Sequence, residues 1–285
     1  MFVKFRKLSD RVFLFTYNDK KWVIKFPLDK EDIINIEHEH KMFSQMTLIS
    51  DIFNSYDKIY AYDNDLNIDT VKLPIEDKYV DVPKDLLAKK FNLYYPDKYT
   101  VLCGEYNENY VVMHEYKKYS ISTGFFFKSI LTILNTVETI FRPNNFIHGD
   151  FKFNNILINK IDSNKVKIID LGFSIILESN IQMNKDIQMS LYLMTNKILS
   201  KEYLFLFDIY LFAISLIGFC ESFPSDLYNI FYHYYLHNQN LSDSFMDFFV
   251  IMTALKDKTK EQLLFDNYLD ARFISINNVL VNNRI

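Results

Sequence analysis

Glycine is scarce in this chain of 285 residues: five occur, and none precedes Gly104. The N-terminal third therefore holds no glycine-rich loop, whose backbone N–H groups could approach a phosphate closely. Cysteine is scarcer still, with Cys103 and Cys220 alone. Two such thiols argue against a disulfide scaffold or a cysteine metal site and read as lone buried groups in a reducing compartment. A charge excess of one sign is also missing. The 32 Lys and Arg against 36 Asp and Glu leave a net charge of −4, which gives no basic footprint for nucleic acid or a membrane surface. The most apolar window, Tyr203 to Cys220, is interrupted by Asp208. A charge there would cost about a few kcal/mol inside a membrane, so a buried helix is expected. The first residues, Met1-Phe2-Val3-Lys4-Phe5-Arg6-Lys7, mix apolar with basic side chains and lack the continuous apolar region of an export signal.

What is present is apolar and aromatic. Hydrophobic residues make up 49% and aromatic ones 17%, enough to bury a sizeable core in one large or two small domains. The heavy use of Phe, Tyr, Ile, Asn and Lys reads as an AT-rich coding sequence rather than a physical signal. Residues 1–28 read as three antiparallel strands: Met1 to Leu8, Arg11 to Tyr17 and Trp22 to Leu28, with turns at Ser9-Asp10 and Asn18-Asp19-Lys20-Lys21. A helix follows. Glu39, Met42, Phe43 and Met46 fall at i, i+3, i+4 and i+7 and share one face, whereas the same offsets from Glu37 give polar residues. His38 and His40 flank Glu39 without a third metal ligand, and solvated helix positions are expected for both.

Two stretches carry the chemistry. The first is His148-Gly149-Asp150-Phe151-Lys152-Phe153-Asn154-Asn155, followed by the apolar run Ile156-Leu157-Ile158. The second is Lys167-Ile168-Ile169-Asp170-Leu171-Gly172. Read together they are H-x-D-x-K-x-x-N, a strand, a turn, a strand and D-x-G. The pair resembles the catalytic and metal loops of the protein-kinase-like superfamily, with Gly149 where Arg is usual and Leu171 where Phe is usual. The chemistry of phosphoryl transfer accounts for the residue types. Asp150 would orient the acceptor hydroxyl and take its proton. Lys152 would offset charge on the transferring phosphoryl. Asn155 and Asp170 would offer oxygens to Mg²⁺ or Mn²⁺. Gly172 would let the backbone turn sharply after the metal ligand.

The resemblance extends along the chain and implies further roles. Trp22-Val23-Ile24-Lys25 is similar to the V-A-I-K strand, so Lys25 would hold the nucleotide phosphates and Glu39, with Glu37 as second choice, would pair with it. Tyr99–Cys103 and Asn109–Met113 read as a hairpin leading to His114-Glu115-Tyr116, similar to the hinge whose backbone holds adenine. Lys25, Glu39, Glu115, Tyr116 and Leu157 are thus the implied ATP-side residues. The helical pattern from Ser122 through Ile140 would be the long helix before the catalytic loop. Asp208-Ile209-Tyr210-Leu211-Phe212-Ala213 resembles the start of the large buried helix whose Asp anchors that loop. The expected fold is α+β and two-lobed. An antiparallel-sheet N-lobe would span 1–113, with an acidic insert at about 47–98 that is helical near Pro83 to Leu93. A mainly helical C-lobe would span 114–285, with the aromatic cluster Phe231, Tyr232, Tyr234 and Tyr235 in its core.

Three departures temper the resemblance. The β-turn at Leu8-Ser9-Asp10-Arg11 has no glycine, Asp10 there would repel phosphate, and Lys7 or Arg11 could offset it. No A-P-E follows Gly172. Gly149 has no side chain to pair with a phosphate on Ser174, Ser179, Ser190 or Thr195, so no switching by phosphorylation there is expected. The function implied is a Ser/Thr protein kinase transferring the γ-phosphoryl of ATP to a protein hydroxyl, as a cytoplasmic monomer without nucleic-acid or membrane partners. Two alternatives stand: a small-molecule phosphotransferase similar to aminoglycoside and choline kinases, which also use H-G-D, and a pseudokinase binding module. The compact N-terminus, the missing A-P-E and the codon bias resemble divergent kinases of large DNA viruses, for which the compartment would be the host cytoplasm.

Overall fold

Period-two alternation builds the first strands. Phe13 and Phe15 are buried on one face of their strand, and Ile24 is buried on the next. The computed structural model describes residues 5–9, 11–17, 19–27, 32–63, 70–75, 78–83, 98–177, 201–219 and 225–255. The chain divides into two units, Met1–Glu108 with Asp170–Gly172, and Asn109–Ile169 with Phe173–Ile285.

The first unit is a seven-stranded antiparallel sheet and one helix. The strands are β1 (Phe5–Lys7), β2 (Val12–Tyr17), β3 (Lys20–Lys25), β4 (Asp57–Asp63), β5 (Thr70–Ile75), β6 (Lys78–Pro83) and β7 (Lys98–Glu105), in the order β1-β2-β3-β7-β4-β5-β6. Helix α1 (Asp32–Met46) packs on β7 and β4. Its buried side chains include Ile36, Glu39, Met42, Phe43 and Met46, the face that helical spacing selects. His38 is buried too, and His40 is half-buried. This corrects the expectation of solvated positions. His38 stands one turn before Met42, at the edge of the packed face.

Two further expectations change. The acidic stretch after Thr47 is not a simple insert, because β4 pairs with β7 from Asp57↔Cys103 to Tyr62↔Lys98 inside the main sheet. Pro83 ends strand β6 rather than starting a helix, and residues 84–93 lie outside the described residues. The hairpin of Tyr99–Cys103 with Asn109–Met113 does not form. Both edges of β7 are taken, by β3 and β4. Gly104 permits the close approach on that strand, where a Cβ would meet the Ser55 carbonyl oxygen at 2.9 Å.

The second unit is mainly helical. Strand β8 (Tyr110–Val112) pairs with β10 (Ile156–Asn159), which also pairs with β11 (Val166–Ile168). Strand β9 (Phe146–Ile147) pairs with β12 (Ile175–Ile176). Helix α2 (Thr123–Thr136) starts where the Ser122 hydroxyl accepts from Phe125 N–H at 3.2 Å, and runs on as a π turn, Val137–Phe141. Helices α3 (Lys201–Phe219), α4 (Ser225–His237) and α5 (Asp243–Leu255) complete the described part. Of the expected aromatic cluster on α4, Phe231 is fully buried, while Tyr232 is 47% exposed and Tyr234 and Tyr235 are half-buried. The helical period turns Tyr232 outward.

The core of this unit centres on Phe212 of α3. Its ring meets Phe151, Phe153 and Phe248 with centroids 5.5, 5.3 and 5.7 Å away, and it is fully buried. Two of these partners belong to the H-G-D stretch. Phe212→Ala should cost about 3–5 kcal/mol of stability. Chemical denaturation of the two proteins checks this, and a loss below ~1 kcal/mol would mean the site collapses freely.

Candidate active site

In the first unit one buried cation gathers two carboxylates. Lys25, at the end of β3, is 7% exposed, and Glu39 on α1 is 2% exposed. The Lys25 Nζ lies 2.6 Å from Glu39 Oε2 and 2.6 Å from Asp170 Oδ1. Glu37 is engaged elsewhere: its Oε1 accepts from Lys58 and from Thr100, each at 3.2 Å. Burial raises the Glu39 carboxyl above its ordinary value against the pull of Lys25. Burial alone would lower Lys25, but Glu39 and then Asp170 more than offset it and hold the ammonium charged.

The metal-loop turn differs from expectation in one detail. The left-handed residue is Asp170 itself, at φ +60°. Gly172 needs no such freedom, since a Cβ there would make only ordinary contacts, 3.7 Å from Asp170 Oδ1. Asp tolerates this region better than most side chains, and its fixed pose leaves the carboxylate about one third exposed. A hard anionic oxygen at that exposure suits Mg²⁺. Among the described residues, no three His, Cys, Asp or Glu side chains gather as a metal site.

Arg11, at the end of the β1–β2 turn, was only half legible. Its Nη1 donates to both oxygens of Asp32, at 2.9 and 2.7 Å, and its Nη2 stands 3.9 Å from Asp170 Oδ1. Burial opposes its charge, but Asp32 and Asp170 outweigh it and keep the guanidinium protonated. Asp32 opens α1, so the pair ties the turn to the helix start. A basic residue in the turn and an Asp at the helix start were the available signals, but nothing in sequence relates positions 21 apart.

In the second unit the H-G-D stretch is fixed from behind. Asp208 on α3 is fully buried. Its two oxygens accept from His148 N–H at 2.6 Å and Gly149 N–H at 2.9 Å. This is the anchoring role that the resemblance implies. Ser215, seven residues on and so on the same helix face, accepts from Phe153 N–H at 3.2 Å and donates to the Phe212 carbonyl at 2.8 Å. Its spacing from Asp208 was the overlooked signal. The His148 ring closes the loop: Asp150 N–H donates to Nδ1 at 3.3 Å, and Nε2 lies 3.1 Å from the Ile169 carbonyl. A carbonyl only accepts, so Nε2 carries the proton.

Asp150 itself is met by two donors. Lys152 Nζ lies 2.7 Å from its Oδ2. Asn155 Nδ2 donates to the same oxygen at 2.9 Å and to the Asp150 carbonyl at 2.8 Å. With its nitrogen so engaged, Asn155 turns its amide oxygen away from the carboxylate, the orientation a cation ligand needs. Ile169 N–H donates to the Asn155 carbonyl at 3.0 Å, so the residue before Asp170 is hydrogen-bonded to Asn155. Leu157 is half-buried between the buried Ile156 and Ile158. His114-Glu115-Tyr116 lies in a 3-10 segment, Met113–Tyr119. The Tyr116 ring is buried and stacked on Phe126 at 3.9 Å, and Glu115 pairs with Lys118 at 2.6 Å. Both side chains are thereby occupied.

Gly149 is required by shape. It takes φ +78°, and a Cβ there would meet the Phe173 carbonyl oxygen at 2.5 Å. Ser174 is fully buried and donates to the His148 carbonyl at 3.0 Å. Ser179, Ser190 and Thr195 lie outside the described residues.

Two predictions follow from this geometry. Gly149→Arg, which restores the usual family residue, should lower stability by at least about 1–3 kcal/mol through backbone strain. A variant as stable as the wild type in denaturant would refute the steric account. The second concerns pH. Burial pushes the Asp208 carboxyl from 3.8 up to about 7, against the two N–H donors that lower it. Below 3.8 both folded and unfolded states are protonated, and the group adds no penalty. The penalty grows as pH rises and is complete above about 7. Asp208→Asn keeps an acceptor oxygen without the charge, so stability should fall less over that interval. Parallel stability–pH curves for the two proteins would overturn the assignment.

A protein kinase domain model matches residues 82–263. A search of curated proteins returns no match. The matched stretch holds Asp150, Lys152, Asn155, Asp170 and Asp208, while the Lys25–Glu39 pair precedes it. An antiparallel-sheet unit and a helical unit make the two-lobed α+β fold of such enzymes. Matched over more than half its length, the chain belongs to the protein kinase domain family and is a kinase-type phosphotransferase.

Proposed function

We propose that the chain is a Ser/Thr-type protein kinase that transfers the γ-phosphoryl of ATP to a protein hydroxyl. The observation that carries this reading is the Lys152 ammonium 2.7 Å from the Asp150 carboxylate. A carboxylate that can take the hydroxyl proton, with a cation beside it to meet phosphoryl charge, supports such a transfer. The acceptor O–H gives its proton to Asp150 while its oxygen bonds the γ-phosphorus. The bond from that phosphorus to the bridging oxygen breaks, and ADP leaves. Lys152 offsets charge on the phosphoryl oxygens during the exchange.

Lys25 is the proposed holder of the nucleotide phosphates, oriented by Glu39. Mg²⁺ or Mn²⁺, when bound, neutralises phosphate charge, and Asp170 and Asn155 are its proposed oxygen ligands. The exposed third of the Asp170 carboxylate supports this fit. Leu157 is proposed as an apolar contact of the base, and Glu115 and Tyr116 as contacts through their main chain alone. A monomer, a cytoplasmic setting and a protein acceptor complete the proposal.

A second reading has its own support. Leu8 N–H and Ser9 N–H both donate to the Val12 carbonyl, at 2.8 and 3.1 Å, so the β1–β2 turn offers neither to a phosphate. That favours a binding module without turnover. The small-molecule alternative keeps H-G-D in its favour, with Lys152 against it. Incubation with labelled ATP and Mg²⁺, with and without a protein acceptor, separates the three. Phosphoprotein is the expected product. Asp150→Asn should lower transfer by about 10²–10⁴-fold and leave nucleotide affinity nearly unchanged. Label only on a small alcohol, or binding without transfer, would overturn the protein-kinase reading.

A further inference from the structure

The β1–β2 turn contains no glycine. Its Leu8 and Ser9 N–H groups are spent on the Val12 carbonyl. Among the described residues there, Arg11 reaches Asp32 and Asp170. The Arg11 and Lys25 cations converge on one atom, Asp170 Oδ1, at 3.9 and 2.6 Å. They differ in depth: the Arg11 side chain is 22% exposed and that of Lys25 9%. Arg11 is therefore the outer of two stacked positive charges. Asp32 holds Nη1 from one side and so fixes the plane of the guanidinium, while Nη2 makes the looser contact with Asp170. A planar fork held by one edge is prepared to receive an anion on the other.

We propose that Arg11 is a phosphate-binding residue for a nucleoside triphosphate, supplying through its guanidinium a contact that the Leu8 and Ser9 N–H groups, spent on Val12, do not supply. The inference rests on the nucleotide-dependent reading above. Phosphate oxygens take the place of Asp170 as partner of Nη2, and Asp32 keeps Nη1. The exchange conserves charge: a divalent cation on Asp170 competes with both Lys25 and Arg11 for that carboxylate, and the phosphates then pair with the cations so released.

Affinity, not turnover, tests this. The full-length protein is titrated with Mg²⁺ and the imido analogue of ATP, and separately with adenosine, by calorimetry. Arg11→Gln should weaken the triphosphate by about 10–100-fold, the range of a lost charge-assisted contact, and leave adenosine unchanged. Arg11→Lys should lie between. Asp32→Asn keeps the Arg11 cation and an acceptor oxygen but loosens the hold on Nη1, so it should weaken the triphosphate by only about 3–10-fold, less than Arg11→Gln does. Ligand-free melting of both variants reports the lost Arg11–Asp32 pair, joined in Arg11→Gln by the looser Asp170 contact, and should drop in both. Equal weakening of triphosphate binding by Arg11→Gln and Asp32→Asn would reduce Arg11 to a structural tie and overturn the proposal. Unchanged triphosphate affinity in Arg11→Gln would overturn it while leaving nucleotide use intact. A wild-type protein that binds the triphosphate no better than adenosine would overturn both.

Discussion

The Lys25 ammonium sits 2.6 Å from Glu39 and from Asp170 on a side chain only 9% exposed. Removing such a charge from water costs several kcal/mol, and the cost is offset only where geometry and counter-charges are good. One side chain thus ties β3, α1 and the Asp170 turn together. A displacement of α1 would strand a buried cation, so the helix position is specified by charge as well as by packing. The two agree because Glu39 shares a face with Met42, Phe43 and Met46. The apolar stripe that seats the helix also aims the carboxylate. Asp170 meets the same ammonium from a left-handed backbone, strain of about 1–3 kcal/mol that persists only where the surroundings over-determine it.

The helical unit solves the inverse problem. Asp208 is a buried carboxylate, and backbone N–H groups rather than a cation receive it. Hydrogen bonds from neutral donors offset burial only in part, which is why its carboxyl is pushed up to about 7. In return, both ends of the segment from His148 to Phe153 are fastened to one helix face, by Asp208 and Ser215. Asp150 lies between the two fastenings. Its pose follows from rigid elements and not from the loop's own preferences, which is what the proposed role of Asp150 as base would require.

Much of this was legible in residue type and spacing. The order Lys25, Glu39, Asp150, Asn155, Asp170, Asp208 carries the family resemblance, and helical period alone prefers Glu39 over Glu37. Long-range pairing was not legible. Strand β7 reads as half of a hairpin because the next apolar run lies close in sequence, yet β3 and β4 fill both its edges. Local pattern cannot rank an adjacent partner against two distant ones. Backbone sign was also hidden. Gly172 reads as the turn glycine, but the left-handed residue is Asp170, where an ion pair holds what glycine would allow freely. The Arg11–Asp32 pair needs two elements folded before its partners meet. His38 misled because a polar residue at the rim of a packed face is buried by its neighbours' bulk.

Gly149 shows how one residue can be misread as an absence. By family pattern it is a missing Arg, and so a missing partner for a phosphate. By geometry it is a requirement, since φ +78° and the Phe173 carbonyl leave no room for a Cβ. The two descriptions meet in what holds the loop. Where an Arg would draw on a phosphorylated side chain, this loop closes on Asp208, on the His148 ring and on the Ser174 hydroxyl, which is itself buried against the His148 carbonyl. These contacts form with the fold and need no modification to appear. The tight approach of Phe173 that excludes a side chain at position 149 also brings the next residue, Ser174, into the hydrogen-bond set. The absence of a side chain at position 149 and the internal closure of the loop are thus one steric arrangement.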